Sequence, residues 1–120
     1  MNNSTVENVA IAFTSILVTT VAALTLLPSE KLLLKPLFND KINHMLAWGA
    51  LTVPIASARP SAIRWLFPAA VGAGAAVELI QPSVDREREA GDLLADTFGA
   101  ALGCLAGWLV HRACSHQASL

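Results

Sequence analysis

The sequence predicts an all-α membrane protein with four transmembrane helices, arranged as two hairpins in one compact bundle with both termini on the same side. Of its 120 residues, 54% are hydrophobic and only 14% are charged, against roughly 25% charged residues in soluble domains. Four apolar stretches also follow one another, each close to the ~20 residues that cross a bilayer as a helix. Residues 1–120 are therefore expected to form a single membrane domain.

The first span is predicted over about residues 9–27. The stretch Val9–Leu27 carries no charge, and Pro28 follows as a stop signal. The residues before it contain no Lys or Arg, whereas a secretory signal peptide begins with a positively charged segment. We therefore expect an uncleaved first helix.

The other three spans are predicted over about residues 41–57, 64–80 and 92–111. Asn39 or Asp40 can cap the second span, and Trp48 is expected at a membrane interface, where tryptophan is enriched. The fourth span has glycine at every fourth position, a pattern typical of close helix packing. The same glycines are a candidate surface for oligomerisation: Gly99, Gly103 and Gly107.

The charge balance excludes a nucleic-acid-binding surface, because a net charge of −1 and a pI near 6.2 leave no basic patch. Cys104 and Cys114 lie along one helix pattern, which disfavours a disulfide between them. His111, Cys114 and His116 have mixed spacing for a metal site. We interpret this end of the chain as a solvated tail and predict no cofactor.

Ionisable residues gather at one end of the predicted bundle. Four spans place the connections at residues 28–43 and 81–91 on one membrane face, and the termini and the turn at residues 58–64 on the other. An ionisable group within a span costs ~2.5–3.5 kcal/mol near the middle, so such groups normally face a bundle interior. Helical spacing puts these residues in pairs on shared helix sides: Asp40 with His44, Glu78 with Gln81, and Asp92 with Asp96.

These motif residues resemble the VanZ-like family of small bacterial membrane proteins. The matching pattern covers about residues 39–103 and reads Asp40-Lys41-x-x-His44, then Glu78-x-x-Gln81, then Arg86-x-x-Glu89-x-x-Asp92-x-x-x-Asp96-x-x-Gly99. The resemblance implies a four-helix fold in the bacterial cell (inner) membrane with its polar residues at one face. It also implies an envelope role like that of the member for which the family is named, which is associated with low-level resistance to the glycopeptide teicoplanin.

The chain departs from the family pattern in two places. Where the family most often has Asn in the fourth helix, this chain has Asp96, and the spacing from Gln81 to Arg86 is about one residue short. An Asn side chain can donate and accept hydrogen bonds, whereas an ionised Asp can only accept. If Asp92 and Asp96 share a low-dielectric site, a cation must lie between them or one must be protonated.

The expected ligand is the headgroup of an envelope lipid or a lipid-linked precursor. Lys41 and Arg86 are candidates for binding its phosphate or carboxylate groups, since ammonium and guanidinium donors match such anions. His44 and Glu78 are candidates for proton transfer, with Asp40 orienting the histidine. The candidate catalytic residues are His44, Glu78 and Asp40, and the candidate substrate-binding residues are Lys41, Gln81, Arg86, Asp92 and Asp96.

Two other interpretations of these residues stay open. One is a divalent-cation site of carboxylates and one imidazole, without a compact metal motif, formed by Asp40, His44, Glu78 and Asp92. The other is non-catalytic: the charges form an ion-pair network that holds three helices together in a membrane assembly protein. A transporter is less favoured, because four spans without a broken-helix repeat make a narrow pathway.

The distribution of basic residues bears on membrane orientation. Arg59, Arg64 and Arg112 lie on the terminal side, and a raw count of Lys and Arg favours the motif side as cytoplasmic. Lys41 and Arg86, however, belong to the predicted site, where acidic neighbours neutralise them. The three arginines flank spans directly, and we therefore expect the termini inside the cell and the motif face outside.

Overall fold

The computed structural model describes residues 2–26, 40–80 and 90–119. Of these residues, 97% are helical and none lies in a strand, which confirms the all-α, four-helix prediction. The helices are α1 (Asn3–Leu26), α2 (Asp40–Ala58), α3 (Ile63–Ile80) and α4 (Ala90–Ala118). A short 3₁₀ turn, Pro60–Ala62, joins α2 to α3.

Two helices extend beyond the predicted spans. The α1 helix begins at Asn3 and not near residue 9, because the Asn2 side-chain oxygen accepts the backbone N–H of Thr5 at 2.8 Å, as an N-terminal cap does. The α4 helix continues past residue 111 to Ala118. Hydropathy marks the apolar part of a helix, whereas capping marks its end, and for this reason a helix can be longer than the span predicted within it.

Within the described ranges, three helical stretches are long and apolar enough to cross a membrane: Asn3–Ala23, Pro60–Ile80 and Ala90–Ala118. The α2 helix does not meet the same criterion, although it contacts each of the other three helices. It carries His44 and Thr52 as buried polar side chains, which lower its hydropathy while facing the interior of the bundle. The predicted span over residues 41–57 stays a prediction, and α2 is the central helix.

The most extensive helix pair is α2 with α4, followed by α3 with α4 and α1 with α2. Contacts follow the same order along both helices, from His44 with Asp96 to Ser57 with His111, so α2 and α4 run parallel. Thr52, Ala56 and Ala100 are almost fully buried between them. The Thr52 hydroxyl lies 3.4 Å from the Ala100 carbonyl oxygen and so can donate a hydrogen bond across the interface.

The glycine stripe of α4 packs against α2 within the chain. A β-carbon on Gly99 would overlap the backbone of Met45, and one on Gly103 would overlap the Thr52 side chain. One on Gly107 would lie 2.6 Å from the β-carbon of Ala56. The stripe therefore provides close helix packing inside the bundle, while oligomerisation through these glycines stays a prediction.

The start of α1 and the end of α4 lie at the same end of the bundle, where both line one groove. Two tryptophans lie near this end, Trp65 on α3 and Trp108 on α4. Each has an arginine guanidinium over its ring: Arg64 over Trp65 at 5.8 Å and Arg112 over Trp108 at 4.9 Å. The placement of both termini at one end is confirmed.

Candidate functional site

The candidate site lies at the end of the α2–α4 interface where both helices begin. Because α2 and α4 are parallel, the positive ends of both helix dipoles lie at this end and stabilise nearby carboxylates. Asp92 is in the first turn of α4, and Asp96 follows one turn later on the same helix side. Both carboxylates are buried, where water does not solvate them, so they depend on partners within the bundle.

His44 of α2 is held between these two carboxylates. Its Nδ1 lies 2.7 Å from Asp96 Oδ1, and its Nε2 lies 3.6 Å from Asp92 Oδ2. The exposed fractions are 6% for His44, 3% for Asp92 and 0% for Asp96. The short contact is a hydrogen bond that an ionised Asp96 accepts from the Nδ1 proton. The 3.6 Å contact is too long for a direct hydrogen bond, although it is close enough for charge attraction when His44 is protonated.

Lys41 forms the outer edge of the site. Its Nζ lies 3.3 Å from Asp92 Oδ1, and its side chain is 48% exposed whereas that of Asp92 is 4% exposed. A β-carbon on Gly91 would lie 2.7 Å from Lys41 Cε. The aliphatic part of the lysine side chain therefore packs against α4 at a glycine, which has no side chain to obstruct it. Sequence reasoning missed Gly91, although a glycine beside Asp92 in the first turn of a helix was a usable signal.

The α3 helix closes the inner side of the site. A β-carbon on Gly74 would lie 2.9 Å from Asp96 Oδ2, so α3 approaches Asp96 at its own glycine. Glu78 follows Gly74 by one helical turn and is 5% exposed. The structure thus brings Lys41, His44, Asp92 and Asp96 into direct contact, and it buries Glu78 on the neighbouring helix at the same end of the bundle.

Trp48 supports His44 from the side of α2. The two rings stack with centroids 5.8 Å apart and an interplanar angle of 19°, and Trp48 Nε1 donates a hydrogen bond of 2.9 Å to the Ala70 carbonyl oxygen of α3. Trp48 is only 2% exposed, and the prediction that it anchors α2 at a membrane interface is wrong. Its N–H group finds a partner inside the bundle, so the ring needs no polar headgroup.

Several predicted site residues fall outside what the structure describes. They are Gln81, Arg86 and the side chain of Asp40. Anion binding by Arg86 and orientation of His44 by Asp40 therefore stay predictions. In the described part of the site, Asp96 has the orienting contact with His44.

Among residues 2–26, 40–80 and 90–119, no group of three or more His, Cys, Asp or Glu side chains is arranged to hold a metal ion. At the other end of α4, His111 Nδ1 lies 2.7 Å from the Ser57 carbonyl oxygen, and Cys114 is a free, exposed thiol. The divalent-cation interpretation also requires Asp40, whose side chain is not described, and it stays a prediction.

The described site suits proton exchange. With its Nδ1 proton donated to Asp96, a neutral His44 has a basic Nε2. When Nε2 takes up a proton, the imidazolium lies between two carboxylates that stabilise its charge. An ionised Asp96 stabilises the imidazolium more than an asparagine at this position would, because an amide oxygen accepts the same hydrogen bond without a full negative charge.

The charged groups of the site follow one another from the rim inward, beginning with Lys41 and ending with Asp96. Asp92 is shared between Lys41 at 3.3 Å and His44 at 3.6 Å, whereas Asp96 lies deeper with His44.

No protein-family model matches the chain, and no curated protein or solved structure matches it. The resemblance to the VanZ-like family stays a prediction carried by the motif residues.

Proposed function

We propose that this membrane protein binds the headgroup of an envelope lipid or of a lipid-linked precursor at the start of α2 and α4, and that His44 exchanges a proton with the bound group. The observation that carries the proposal is the buried histidine held by Asp96 at 2.7 Å and approached by Asp92 at 3.6 Å. Two carboxylates around one imidazole support both of its protonation states.

The energetics of burial support a functional role for these charges. Well-packed apolar residues often replace a buried ion pair without loss of stability, so stability alone does not require this cluster. Ionisable groups among membrane-spanning helices are a functional hypothesis by default. Lys41, half exposed at the rim, connects the buried pair with the membrane surface, where lipid headgroups lie.

The proton moves between the ligand and Nε2 of His44. A hydroxyl or phosphate O–H of the headgroup gives its proton to Nε2, and the imidazolium returns that proton to the same or another oxygen. Asp96 keeps the ring oriented through Nδ1. Asp92 stabilises the imidazolium, and its bond to Lys41 limits the negative charge that the site presents to an anionic headgroup.

A specific observation favours a second function, that of a non-catalytic assembly protein. Asp96 is 0% exposed, and it contacts both α2, through His44, and α3, at Gly74. In this alternative, the charges fix how the three helices pack, and the protein acts through other surfaces in the envelope. The two functions make different predictions for a variant that folds without these charges. An assembly protein would keep its function in such a variant, whereas a protein that needs proton exchange by His44 would lose it.

Teicoplanin susceptibility of a bacterial host expressing the chain separates the two functions. The variant His44→Leu/Asp96→Leu replaces the buried pair by apolar groups, and Lys41→Asp/Asp92→Lys exchanges the rim pair. If His44 exchanges protons, wild-type protein lowers susceptibility and the leucine variant does not, at equal membrane abundance and equal thermal stability. Full protection by the leucine variant refutes the proton-exchange role and supports the assembly role.

We also propose that the motif face lies outside the cytoplasmic membrane of a bacterial cell. Cys114, exposed near the end of α4, is a natural probe for the opposite end, and Cys104 is buried. A membrane-impermeant maleimide added to intact cells should leave Cys114 unlabelled and should label it after lysis. Labelling of Cys114 in intact cells, lost in a Cys114→Ser control, would place the termini outside and reverse the orientation.

A further inference from the structure

The end of the bundle opposite the candidate site carries an excess of positive charge. Three exposed arginines lie there: Arg59 directly after α2, Arg64 in the first turn of α3 and Arg112 on α4. Of the acidic side chains that the structure describes, only Glu7 of α1 lies at this end. Three arginines against one glutamate leave a formal charge of +2 among these described side chains.

Contacts between the helices bring the three arginines to one level of the bundle. His111, which precedes the arginine of α4, has its Nδ1 2.7 Å from the Ser57 carbonyl oxygen near the end of α2. The turn Pro60–Ala62 follows directly and contacts α4. Arg59 and Arg64 flank this turn. The positive charge is therefore concentrated around one turn and the adjacent part of α4.

The positive charge of this end is not neutralised within the described parts of the chain. There, none of the three arginine side chains forms an ion pair or a hydrogen bond with another protein group. The described ion pairs all lie at the candidate site, where Lys41 is paired with Asp92. The two ends of the bundle thus differ, because only the arginine end presents its cationic groups to an anion from outside.

Tryptophan rings fix the level at which two of the guanidiniums lie. Arg64 is 5.8 Å from the centre of the Trp65 ring, and Arg112 is 4.9 Å from that of Trp108. The two rings are 72% and 37% exposed. Exposed tryptophan side chains on membrane-spanning helices are enriched at the level of the lipid headgroups, and a cation–π contact holds the charged group beside the ring. The N–H donors of both arginines therefore lie where lipid phosphates lie.

We propose that Arg59, Arg64 and Arg112 bind the phosphate groups of anionic phospholipids in the leaflet that surrounds this end. A guanidinium can donate two parallel N–H bonds to one phosphate. A zwitterionic lipid brings a cationic group together with its phosphate, so the positive charge of this end favours a lipid of negative net charge.

This lipid-binding surface is separate from the headgroup site proposed at the motif face. Ser57 follows His44 by 13 positions along α2, which is about 20 Å at 1.5 Å per residue. Anionic lipids at the arginine end would hold the bundle in the membrane from the side of the termini, whether or not His44 exchanges a proton.

Quenching of tryptophan fluorescence by brominated lipids tests this proposal. The full chain is reconstituted into vesicles of phosphatidylcholine and phosphatidylglycerol, in which one lipid or the other carries bromine on its acyl chains. Each signal is normalised to the same protein in unbrominated vesicles. Trp65 and Trp108 report on lipids at this end, whereas Trp48, 2% exposed, contributes a constant background. We expect phosphatidylglycerol to bind beside the exposed rings with several-fold higher affinity than phosphatidylcholine, and added salt to weaken this preference.

Glutamine variants test whether arginine charge causes the preference. Arg59→Gln/Arg64→Gln/Arg112→Gln should abolish it, because each basic residue near an anionic surface contributes roughly fivefold in affinity. Ser61→Ala, an exposed change within the same turn, should leave it unchanged. Both leaflets have the same composition, so orientation in the vesicle does not affect the result, and gel filtration verifies the fold of each variant.

Two results would overturn the proposal. Equal quenching by the two brominated lipids in the wild-type protein would mean that the arginines face water or an acidic protein and not anionic lipid. An unchanged preference for phosphatidylglycerol in the triple glutamine variant would mean that another part of the chain selects the lipid. Neither result bears on teicoplanin protection, which tests the motif face.

Discussion

One end of the α2–α4 interface is built from charged side chains, and the other is built from glycine. At the charged end, Lys41 and His44 of α2 contact Asp92 and Asp96 of α4. At the glycine end, the backbone of α2 lies directly against Gly103 and the residues around it. The same two helices are thus joined by two different kinds of contact within one continuous interface.

The difference determines what each end tolerates. The glycine end derives its stability from close backbone packing, which any added atom disrupts. The charged end instead requires that every buried charge keep its partner. Removing atoms should therefore damage the charged end most, and adding atoms should damage the glycine end most.

The largest effect is expected from Asp96→Leu, which leaves His44 buried without its closest carboxylate. Breaking one side of a buried pair costs ~3–5 kcal/mol, to be measured as the free energy of unfolding in mixed micelles titrated with a denaturing detergent. The double variant Asp96→Leu/His44→Leu should recover most of this loss. If the single variant is as stable as wild type, the charged end does not depend on paired charges.

Gly103→Ala tests the other end by adding one carbon. Its β-carbon would meet the Thr52 side chain and the Gly49 backbone, and overpacking of this kind costs ~1–3 kcal/mol. The matched control is Gly72→Ala on α3, where the added carbon has no neighbour within 4 Å. That control should be neutral or stabilising by up to ~1 kcal/mol, since alanine is a better helix former than glycine. Equal melting temperatures for the two variants would contradict the close approach of α2 and α4.

Trp48→Phe sharpens the comparison at the boundary between the two ends. Phenylalanine keeps a ring against His44 but cannot donate to the Ala70 carbonyl oxygen, and loss of one such hydrogen bond costs about 1 kcal/mol. Trp65→Phe, at a position 72% exposed, should leave the free energy of unfolding unchanged. If Trp48→Phe lowers the free energy of unfolding less than Trp65→Phe does, the hydrogen bond from Trp48 to Ala70 does not stabilise the packing of α2 against α3.

The smallest effect is expected from Lys41→Met. The lysine side chain is 48% exposed, so solvent screens its attraction to Asp92, and loss of an exposed pair typically costs ~0.5 kcal/mol or less. Stability should thus stay close to wild type, while teicoplanin protection should fall if Lys41 contributes to headgroup binding. A large loss of stability would instead show that Lys41 belongs to the structural core of the charged end.

Much of the fold could be predicted from hydropathy and helical spacing. Apolar stretches located all four helices, and the interval of four between glycines identified the packing side of α4. The strong pairing of α2 with α4 could not be predicted, because it depends on which surfaces match in three dimensions. Gly49 and Thr52 of α2 face the α4 stripe, and a pattern within one helix does not name its partner.

For the site, spacing within each helix placed Asp92 and Asp96 on one side of α4, and the structure brings both to His44. The short contact between Asp96 and His44 spans 52 positions in the sequence, beyond the reach of any local rule. Trp48 was misplaced because tryptophan is enriched both at membrane interfaces and beside buried hydrogen-bond acceptors. Sequence alone does not separate these two environments.

The central position of α2 has a consequence for the order in which the protein is assembled. Lys41 and His44 are synthesised 51 and 52 positions before their partners on α4, and α2 by itself falls short of the apolar character of the other helices. During synthesis, the charged start of α2 is therefore made before the carboxylates of α4 that pair with it. The last helix to be made completes the environment that the second helix requires.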